Sequence, residues 1–532
     1  MTPIRKQKYG NDWSIFLPSI SQMYVLAHSR GWDRQPVDMR MLDFLDEKNA
    51  SHFHYPYGLY SAGHAHLDLT KSDEREPMIQ KRDKQKTIMV GDSGGFQAAT
   101  GVLDFDWENP MGDKAVAQRI ELMRWLEHTS EYSMVLDWPT WAINTGRLPS
   151  TLMICDPTTG DTTLPLTKEE RENKTRERVD MTVTNDPFNN CMNGTIWNNE
   201  FFIKNRVPGA TKFLNVLHGR SVEEANIWYD KMTPFSDTKK YGDRAFEGWA
   251  LGGSTGGDPG LAARLIVRLR DDGLLDGDDR WIHVLGRSRL TTSAYLTILN
   301  QALKKHVNPG IQVSFDAASA FLYAVNGNYV VDKNISPKGL NLVSAEFPMD
   351  AKYINSNEPF IFNLDEERLN HPSHYKSPVS KLLKMGDLIL PPDEKTDPKK
   401  GYRMDTAAYY YIMAHNVQSQ LEAIEEVNRR LDGPDAMDHI PRIFLEYREF
   451  INEALTMESP MAYIEREADR FSDMISGGRG GVSALDDQTM FPKTATLADL
   501  DFTKRKNTKP KKIQGPSLVS WADVFGKSAN GN

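Results

Sequence analysis

Eight short apolar segments within residues 13–316 constrain the fold of this 532-residue chain more than any other feature. Each has the length of a buried strand, and segments with a helical spacing of apolar residues separate several of them. Strands that alternate with helices favour a parallel sheet, and eight of them predict a closed (β/α)8 barrel of the α/β class. The eight segments are WSIFLP (from residue 13), YPYGLY (55), TIMVG (87), SMVLD (133), KFLNVLH (212), GWALGG (248), WIHVLG (281) and QVSFD (312).

Helices are expected where apolar residues recur every three or four positions. One pattern covers residues 113–128, and GLAARLIVRL and TSAYLTILNQALKKH give two more. Ser221 with Glu224 forms a capping-box pattern ahead of a further helix.

Two insertions are expected in the barrel, which we assign to residues 1–435. The first, residues 138–207 after strand 4, is polar and carries a charged helical pattern near residues 168–182. The second, residues 317–404 after strand 8, is rich in proline and asparagine and is expected to form loops over the mouth of the barrel.

The C-terminal part of the chain is expected to be helical and then flexible. A long helix begins at an Asp405 cap and runs through Leu431, where Asp-Gly-Pro follows. Amphipathic patterns near residues 440–457 and 462–475 predict a helical extension over residues 436–480. The remainder, residues 481–532, is a basic and flexible tail.

Composition restricts the partners and the compartment. The net charge is −9, so a polyanion would meet local basic segments such as residues 81–86 or 503–512. No apolar run reaches the roughly 18 residues of a membrane span, and the first residues lack the apolar core of a secretory signal. The only cysteines are Cys155 and Cys191, which suits a reducing compartment. We therefore expect a cytoplasmic protein, in the host cytoplasm if a phage encodes it.

Polar residues and glycines follow the predicted strands. In a (β/α)8 barrel the carboxyl ends of all strands meet at one face, where active sites lie. We expect the following residues to converge there: Asp92, Asp137, His218, Gly252, Gly253, Gly286 and Asp316.

The segment DSGGFQ, residues 92–97, contains the residue types that can line one side of a purine-binding slot. Asp92 supplies an acid, Gly94 and Gly95 let backbone approach a flat ligand, and Phe96 offers a ring for stacking. Taken singly, such a segment also fits an ordinary turn after a strand, and Asp316 also fits a helix N-cap.

DSGGFQ resembles the signature of the tRNA-guanine transglycosylase superfamily. Further segments that resemble this family follow in the family's order, over roughly residues 10–430. These are VLDWP around Asp137, GWALGG from Gly248, HVLG from His283, SFDAAS around Asp316 and AHNVQSQLEAI from Ala414.

The resemblance implies base exchange, in which guanine is cut from its sugar and a 7-deazaguanine is inserted through a covalent enzyme–sugar intermediate. Asp316 is similar to the nucleophile and Asp92 to the second acid, which handles protons on the base. No cofactor is implied. Retention at a glycosidic carbon independently calls for such a pair, one carboxylate to bond the sugar and one to move protons.

The resemblance also implies a set of base-binding residues. Asp137 is similar to the carboxylate that reads the N1/N2 edge of guanine, and Gly252 and Gly253 to its backbone contacts. Phe96 would stack on the base and Gln97 would contact base or sugar. His218 stands where bacterial members place a glutamine, so base selectivity is expected to differ.

Departures from the family pattern favour DNA over tRNA. Residues 317–405 contain no cysteine, so the thiolate zinc site of the tRNA enzymes is absent. AASAFLYAV after Asp316 replaces the arginine-containing run that grips the anticodon loop. The chain therefore most resembles the branch in phages and bacterial islands that inserts 7-cyano-7-deazaguanine or a relative into DNA, which protects the DNA from restriction.

The expected partners are DNA with a flipped-out guanine and a free 7-deazaguanine base, with a homodimer or a partner protein possible in addition. Arg287 and Arg289 are candidates for phosphate contacts, or for ion pairs within the barrel rim.

Three alternatives stay open at the level of sequence. The first is a tRNA-guanine transglycosylase of the queuosine or archaeosine type. The second is a metal-dependent, amidohydrolase-like barrel, because HFH (residues 52–54) and HAH (residues 64–66) place imidazoles in pairs, with His218 and Asp316 as further ligands. The third is a non-catalytic partner subunit, although such subunits tend to lose the two acids.

Overall fold

A computed structural model of the chain describes the molecule over most of the barrel and the helical extension. The described residues are 12–29, 38–48, 53–95, 97, 112–140, 187–277, 280–347, 351–360, 377, 379–391 and 403–476. None of the helices in these ranges is long and apolar enough to cross a membrane.

Eight parallel strands form the central barrel, as the sequence predicts. Their order around the sheet is β1-β8-β7-β6-β5-β4-β3-β2, and a parallel bridge between Ser19 and Leu59 joins the edge next to β1 to β2. The strands are β1 Ile15–Pro18, β2 Tyr57–Ser61, β3 Ile88–Asp92, β4 Tyr132–Met134, β5 Lys212–Leu217, β6 Gly248–Leu251, β7 Trp281–Val284 and β8 Gln312–Ala317.

Helices follow the strands and cover the outside of the barrel. Those up to the end of strand 8 are α1 Gln22–Ala27, α2 Leu69–Arg75, α3 Pro77–Gln80, α4 Asp113–Thr129, α5 Pro187–Asn205, α6 Val222–Met232, α7 Thr238–Tyr241, α8 Ser254–Gly257, α9 Pro259–Asp271 and α10 Leu290–His306. The Ser221 hydroxyl accepts a hydrogen bond from Glu224 N, so the predicted N-cap of α6 is confirmed.

Side chains alternate between two cores, because successive residues of a strand face opposite sides of the sheet. On β3, Ile88 and Val90 point into the barrel, while Met89 packs against the helices. The barrel interior is closed by Ile15, Leu17, Tyr57, Leu59, Ile88, Val90, Met134, Leu214, Val216, Ala250 and Trp281. Continuing the same alternation one step brings Asp92 to the inner side at the carboxyl end of β3.

The segment between β4 and β5 contains α5, a 19-residue helix. Its Cys191 is buried and is not in a disulfide. The predicted charged helix near residues 168–182 and Cys155 lie outside the described residues.

The insertion after β8 is more regular than the predicted loops. It contains helix α11 Ser319–Val325 and an antiparallel hairpin of β9 Asn328–Ser336 and β10 Gly339–Glu346. Shorter elements complete it before the long helix, namely α12 Met385–Leu388, β11 Ile389–Leu390 and β12 Arg403–Met404. The expectation of loops was wrong for these residues, because apolar side chains of the hairpin are buried in the core, among them Tyr329, Val330 and Val331 of β9 and Leu340 of β10.

The long helix α13, Thr406–Leu431, begins and ends as predicted, with the Asp405 carboxylate accepting from Ala407 N. Four helices follow: α14 Ala436–His439, α15 Arg442–Thr456, α16 Met461–Glu467 and α17 Asp469–Ser476. α14 contacts α13 and β9, whereas the last three pack on α9 and α10 or on each other, and the Tyr447 ring meets Tyr295 edge-on with centroids 6.1 Å apart. The predicted tail, residues 481–532, lies outside the described residues.

The basic segment at residues 81–86 lies at the opposite end of the barrel from the strand-end carboxylates, because it precedes β3. Arg82 is buried and donates to the backbone oxygens of Ile79 and Thr129 at 2.8 and 2.7 Å. It also pairs with Glu131 at 2.7 Å. The structure thus gives Arg82 a stabilising role, and the segment does not border the site.

We expect Arg82→Ala to lower the free energy of unfolding by about 3 kcal/mol, since it leaves Glu131 and two carbonyls without their buried partner. The exposed Lys81 serves as the matched control, and Lys81→Ala should change the melting temperature little. Thermal unfolding of both variants checks this. A melting temperature for Arg82→Ala equal to that of the wild type would contradict the structural role.

Candidate active site

Two carboxylates occupy inward-facing positions at the carboxyl ends of β3 and β8. Asp92 ends β3 and is in register with Ser61 of β2. Asp316, near the end of β8, is in register with Leu17 of β1. Strand periodicity therefore directs both side chains toward the barrel axis at the face where active sites of this fold lie.

Asp92 lies in a buried electrostatic environment that disfavours its charge. Its pKa is raised to about 6, mainly by burial and to a smaller extent by the charges of Asp137 and Asp316. Hydrogen bonds from the Ser61 hydroxyl and from Gly94 N, at 3.2 Å, act in the opposite direction. Because both other carboxylates act on Asp92, the three acids belong to one site. One of them is adjusted to hold a proton near neutral pH.

The raised pKa of Asp92 predicts that the stability of the fold depends on pH. The pKa of Asp92 is higher in the folded than in the unfolded chain, so the folded state binds more protons between about pH 4 and 6. Stability is then lost as the pH rises through that window, by up to about 3 kcal/mol. Asp92→Asn removes the titrating group, so the variant should unfold at a higher temperature than the wild type at pH 8.

The pH dependence provides the control for this prediction. The advantage of Asp92→Asn should become small at pH 4, where the wild-type carboxyl is protonated in the folded state and about half protonated in the unfolded state. Melting temperatures of the two proteins across pH 4–8 give the comparison. A difference that is constant with pH would mean that Asp92 is not held in a charge-disfavouring environment.

Asp316 is anchored through one of its oxygens. Gly286 N donates to Oδ1 at 2.7 Å, and Nε2 of His283 lies 3.3 Å from the same atom. The side chain is 11% exposed, and no hydrogen bond to Oδ2 is found among the described residues. A carboxylate held by one oxygen with the other unengaged has the geometry of a positioned nucleophile.

Asp137 and His218 form a buried pair beside these acids. Oδ2 of Asp137 lies 2.7 Å from Nε2 of His218, and the His218 ring packs edge-on against Trp228. A Cβ added at Gly252 would lie 2.3 Å from Cε1 of His218, so only glycine lets β6 approach this ring. The pair leaves Asp137 with one oxygen outside this hydrogen bond.

Gly253 and Arg287 shape the adjacent rim. Gly253 has φ +60° and ψ −129°, a conformation that strongly favours glycine, and a Cβ there would meet nothing within 4 Å. The Arg287 guanidinium donates to the Gly253 carbonyl, and desolvation lowers the pKa of this side chain. Arg287 thus holds the loop after β6 in place, whereas Arg289 is half-buried at the N-cap of α10.

The glycines of DSGGFQ pack against protein. A Cβ at Gly94 would lie 2.8 Å from Gly63 Cα, and one at Gly95 would lie 2.9 Å from Asp137 O. These two glycines therefore let the loop after β3 approach its neighbours closely. Oε1 of Gln97 lies 3.3 Å from Oγ of Ser61, and Phe96 lies outside the described residues.

The predicted histidine ligands do not converge. Over the described residues, no group of three or more His, Cys, Asp or Glu side chains has the geometry to hold a metal ion. Nε2 of His64 lies 3.0 Å from Gln97 Nε2, and burial lowers the pKa of His64 to about 4. His52 lies outside the described ranges.

Sequence reasoning missed three residues of the site. Ser61, Ser314 and His283 have inward positions on β2, β8 and β7 and contact the acids or one another. Inward alternation at positions 281, 283 and 285 was the available signal for His283. Neither serine carries a sequence signal of its own, because their contacts depend on the register of neighbouring strands.

Comparison with protein-family models and with curated proteins found no match to this chain.

Proposed function

We propose that the protein is a DNA-guanine transglycosylase, which replaces guanine in DNA by a 7-deazaguanine through an Asp316–deoxyribose intermediate. The observation that carries this proposal is the raised pKa of buried Asp92, to which desolvation contributes most and the charges of Asp137 and Asp316 add. Three carboxylates at the carboxyl end of a (β/α)8 barrel, one of them protonated near neutral pH, suit base exchange at a glycosidic carbon. The order of the family-like motifs supports the same reaction.

The first half-reaction cuts the base from the sugar. Oδ2 of Asp316 forms a bond to C1′ as the C1′–N9 bond breaks, and the electron pair of that bond goes to the departing guanine. Protonated Asp92 supplies the proton that leaves with the base. Asp316 is then a glycosyl ester and Asp92 is ionised.

The second half-reaction reverses these roles. Ionised Asp92 takes the proton from N9 of the incoming 7-deazaguanine, and N9 bonds to C1′ as the ester bond to Asp316 breaks. The two steps balance, because Asp92 ends protonated and Asp316 ends as a free carboxylate. Retained stereochemistry follows from two displacements at the same carbon.

Base recognition falls to the neighbouring groups. Asp137 accepts hydrogen bonds from N1–H and the 2-amino group of guanine through the oxygen that is outside its bond to His218. The Gly252–Gly253 backbone lines the edge of the base, and Gln97 contacts base or sugar. His218 orients Asp137, so this proposal gives it an indirect part in base selectivity.

DNA is the polymer that the sequence favours. The chain lacks both the zinc-binding cysteines and the arginine-containing run of the tRNA enzymes after Asp316. The target guanine must leave the base stack to reach buried acids at the barrel mouth. Arg289 at the rim is the candidate phosphate contact.

The test is incorporation of labelled guanine into three polymers: duplex DNA, single-stranded DNA and tRNA. We expect label in DNA and none in tRNA. Unlabelled 7-cyano-7-deazaguanine should then displace the label from DNA. Label in tRNA alone would reverse the assignment of the polymer, and label in no polymer would overturn base exchange.

A further inference from the structure

A chain of buried hydrogen bonds runs through the barrel interior beneath Asp316. The indole Nε1 of Trp281 donates to Ser314 Oγ at 2.7 Å. The same Oγ lies 2.9 Å from Nδ1 of His283. Ser314 and His283 are each 0% exposed and Trp281 is 3% exposed, so water does not compete for these bonds.

The chemistry of the three groups fixes the direction of the chain. An indole N–H only donates, so Ser314 Oγ is an acceptor toward Trp281. Its own proton is then free to go to His283, and no other acceptor for it is found among the described residues. If Nδ1 carried the proton, the buried serine hydroxyl would lack an acceptor, which is costly. Ser314 therefore donates to Nδ1, and His283 carries its proton on Nε2.

Nε2 of His283 lies close to the proposed nucleophile. Nε2 lies 3.3 Å from Oδ1 of Asp316, the atom that also accepts from Gly286 N at 2.7 Å. The contact is long and not ideally aligned for a hydrogen bond, and no other partner of Nε2 is found within the described ranges. Hydrogen bonds of this kind commonly tighten when substrate binds.

We propose that Trp281, Ser314 and His283 form a positioning chain that gives Oδ1 of Asp316 a second, neutral donor. The proposal rests on the proposed function, in which Oδ2 attacks C1′. Two donors on Oδ1 fix the rotation of the carboxylate and direct Oδ2 toward the sugar.

The positioning chain is also expected to affect how fast the covalent Asp316–deoxyribose ester reacts. In the glycosyl ester, Oδ1 becomes a carbonyl oxygen with less negative charge than in the carboxylate. Donors on Oδ1 therefore stabilise the released carboxylate more than the ester, and they make Asp316 a better leaving group. Loss of the His283 donor should lengthen the lifetime of the covalent adduct by about 10- to 100-fold.

Variants of His283 separate this role from packing. His283→Phe keeps a ring but removes both nitrogens, whereas His283→Gln keeps a side-chain N–H that reaches toward Oδ1. The half-buried His306, which pairs with Asn452 away from the acids, gives the control His306→Gln. The measurement is the decay of the protein–DNA adduct after addition of a 7-deazaguanine, followed on denaturing gels.

We expect a long-lived adduct for His283→Phe and decay within a few-fold of the wild type for His283→Gln and His306→Gln. Equal lifetimes for His283→Phe and the wild type would overturn the proposal. Equal impairment of the Phe and Gln variants would also overturn it, because that pattern reports packing alone.

A substrate-free measurement tests the chain even if the phenylalanine variant fails to fold or the wild type exchanges no base. Nitrogen-15 NMR of histidine-labelled protein distinguishes the two neutral tautomers. We expect His283 to carry its proton on Nε2 in the wild type and to lose that preference in Ser314→Ala. A proton on Nδ1 of His283 in the wild type would overturn the positioning chain. If the proton is on Nε2 but the protein exchanges no base, only the proposed function is overturned.

Discussion

Asp316→Asn is expected to reduce guanine exchange into DNA by about a thousandfold or more, because it removes the only carboxylate assigned to bond the sugar. Asparagine has nearly the same shape, and its amide oxygen still accepts from Gly286 N. The fold should therefore be retained while the nucleophile is lost. Rates of label incorporation under single-turnover conditions provide the measurement.

The matched control is Asp230→Asn, which neutralises a carboxylate on an outer helix that is 65% exposed and paired with Arg268. It should exchange guanine at the wild-type rate. If Asp316→Asn also retained the wild-type rate, another residue would have to be the nucleophile.

Asp92→Asn is expected to slow exchange by about 10²- to 10⁴-fold, the usual contribution of a positioned general acid or base. The variant keeps Asp316, so slow formation of the covalent adduct should persist. The more specific prediction concerns pH, because the pKa of Asp92 is raised to about 6.

The two half-reactions should respond to pH in opposite directions. Excision needs protonated Asp92, so adduct formation should slow as the pH rises above about 6. Insertion needs ionised Asp92, so the reaction of the adduct with a 7-deazaguanine should speed up over the same range and then level off. Both dependences should vanish in Asp92→Asn. Parallel pH profiles for the two half-reactions would contradict the assigned role.

The barrel was predictable because its signal is local and repeated. All eight strands occur where short apolar segments indicated them, since burial on both faces of a parallel strand demands such runs. The position of Asp92 and Asp316 at the carboxyl ends of strands was predicted in the same way, because each closes an apolar segment. Neither inference needed knowledge of which strands pair.

Features that depend on pairing were not predictable in this way. The contact of Ser61 with Asp92 exists because β2 and β3 pair in register at these residues. The bond between His283 and Ser314 likewise follows from their register across β7 and β8. A change of one residue in either register would direct these side chains to the other face of the sheet.

Two residues read as ligand contacts in the sequence have internal partners. Gly95 leaves room for Asp137, and Arg287 is turned to the Gly253 carbonyl. The residue types fit both roles, and only the positions of neighbouring loops decide between them.

The predicted helix at residues 462–475 is divided into two helices at Ala468, and the second of these packs on α9.

The most direct test of the account is to map the covalent adduct. Wild-type protein, incubated with a guanine-containing DNA strand and quenched in acid, is digested and analysed by mass spectrometry. The account predicts deoxyribose attached to the peptide that contains Asp316, with one guanine lost from the strand. An adduct on any other residue, or guanine release with no adduct, would contradict it.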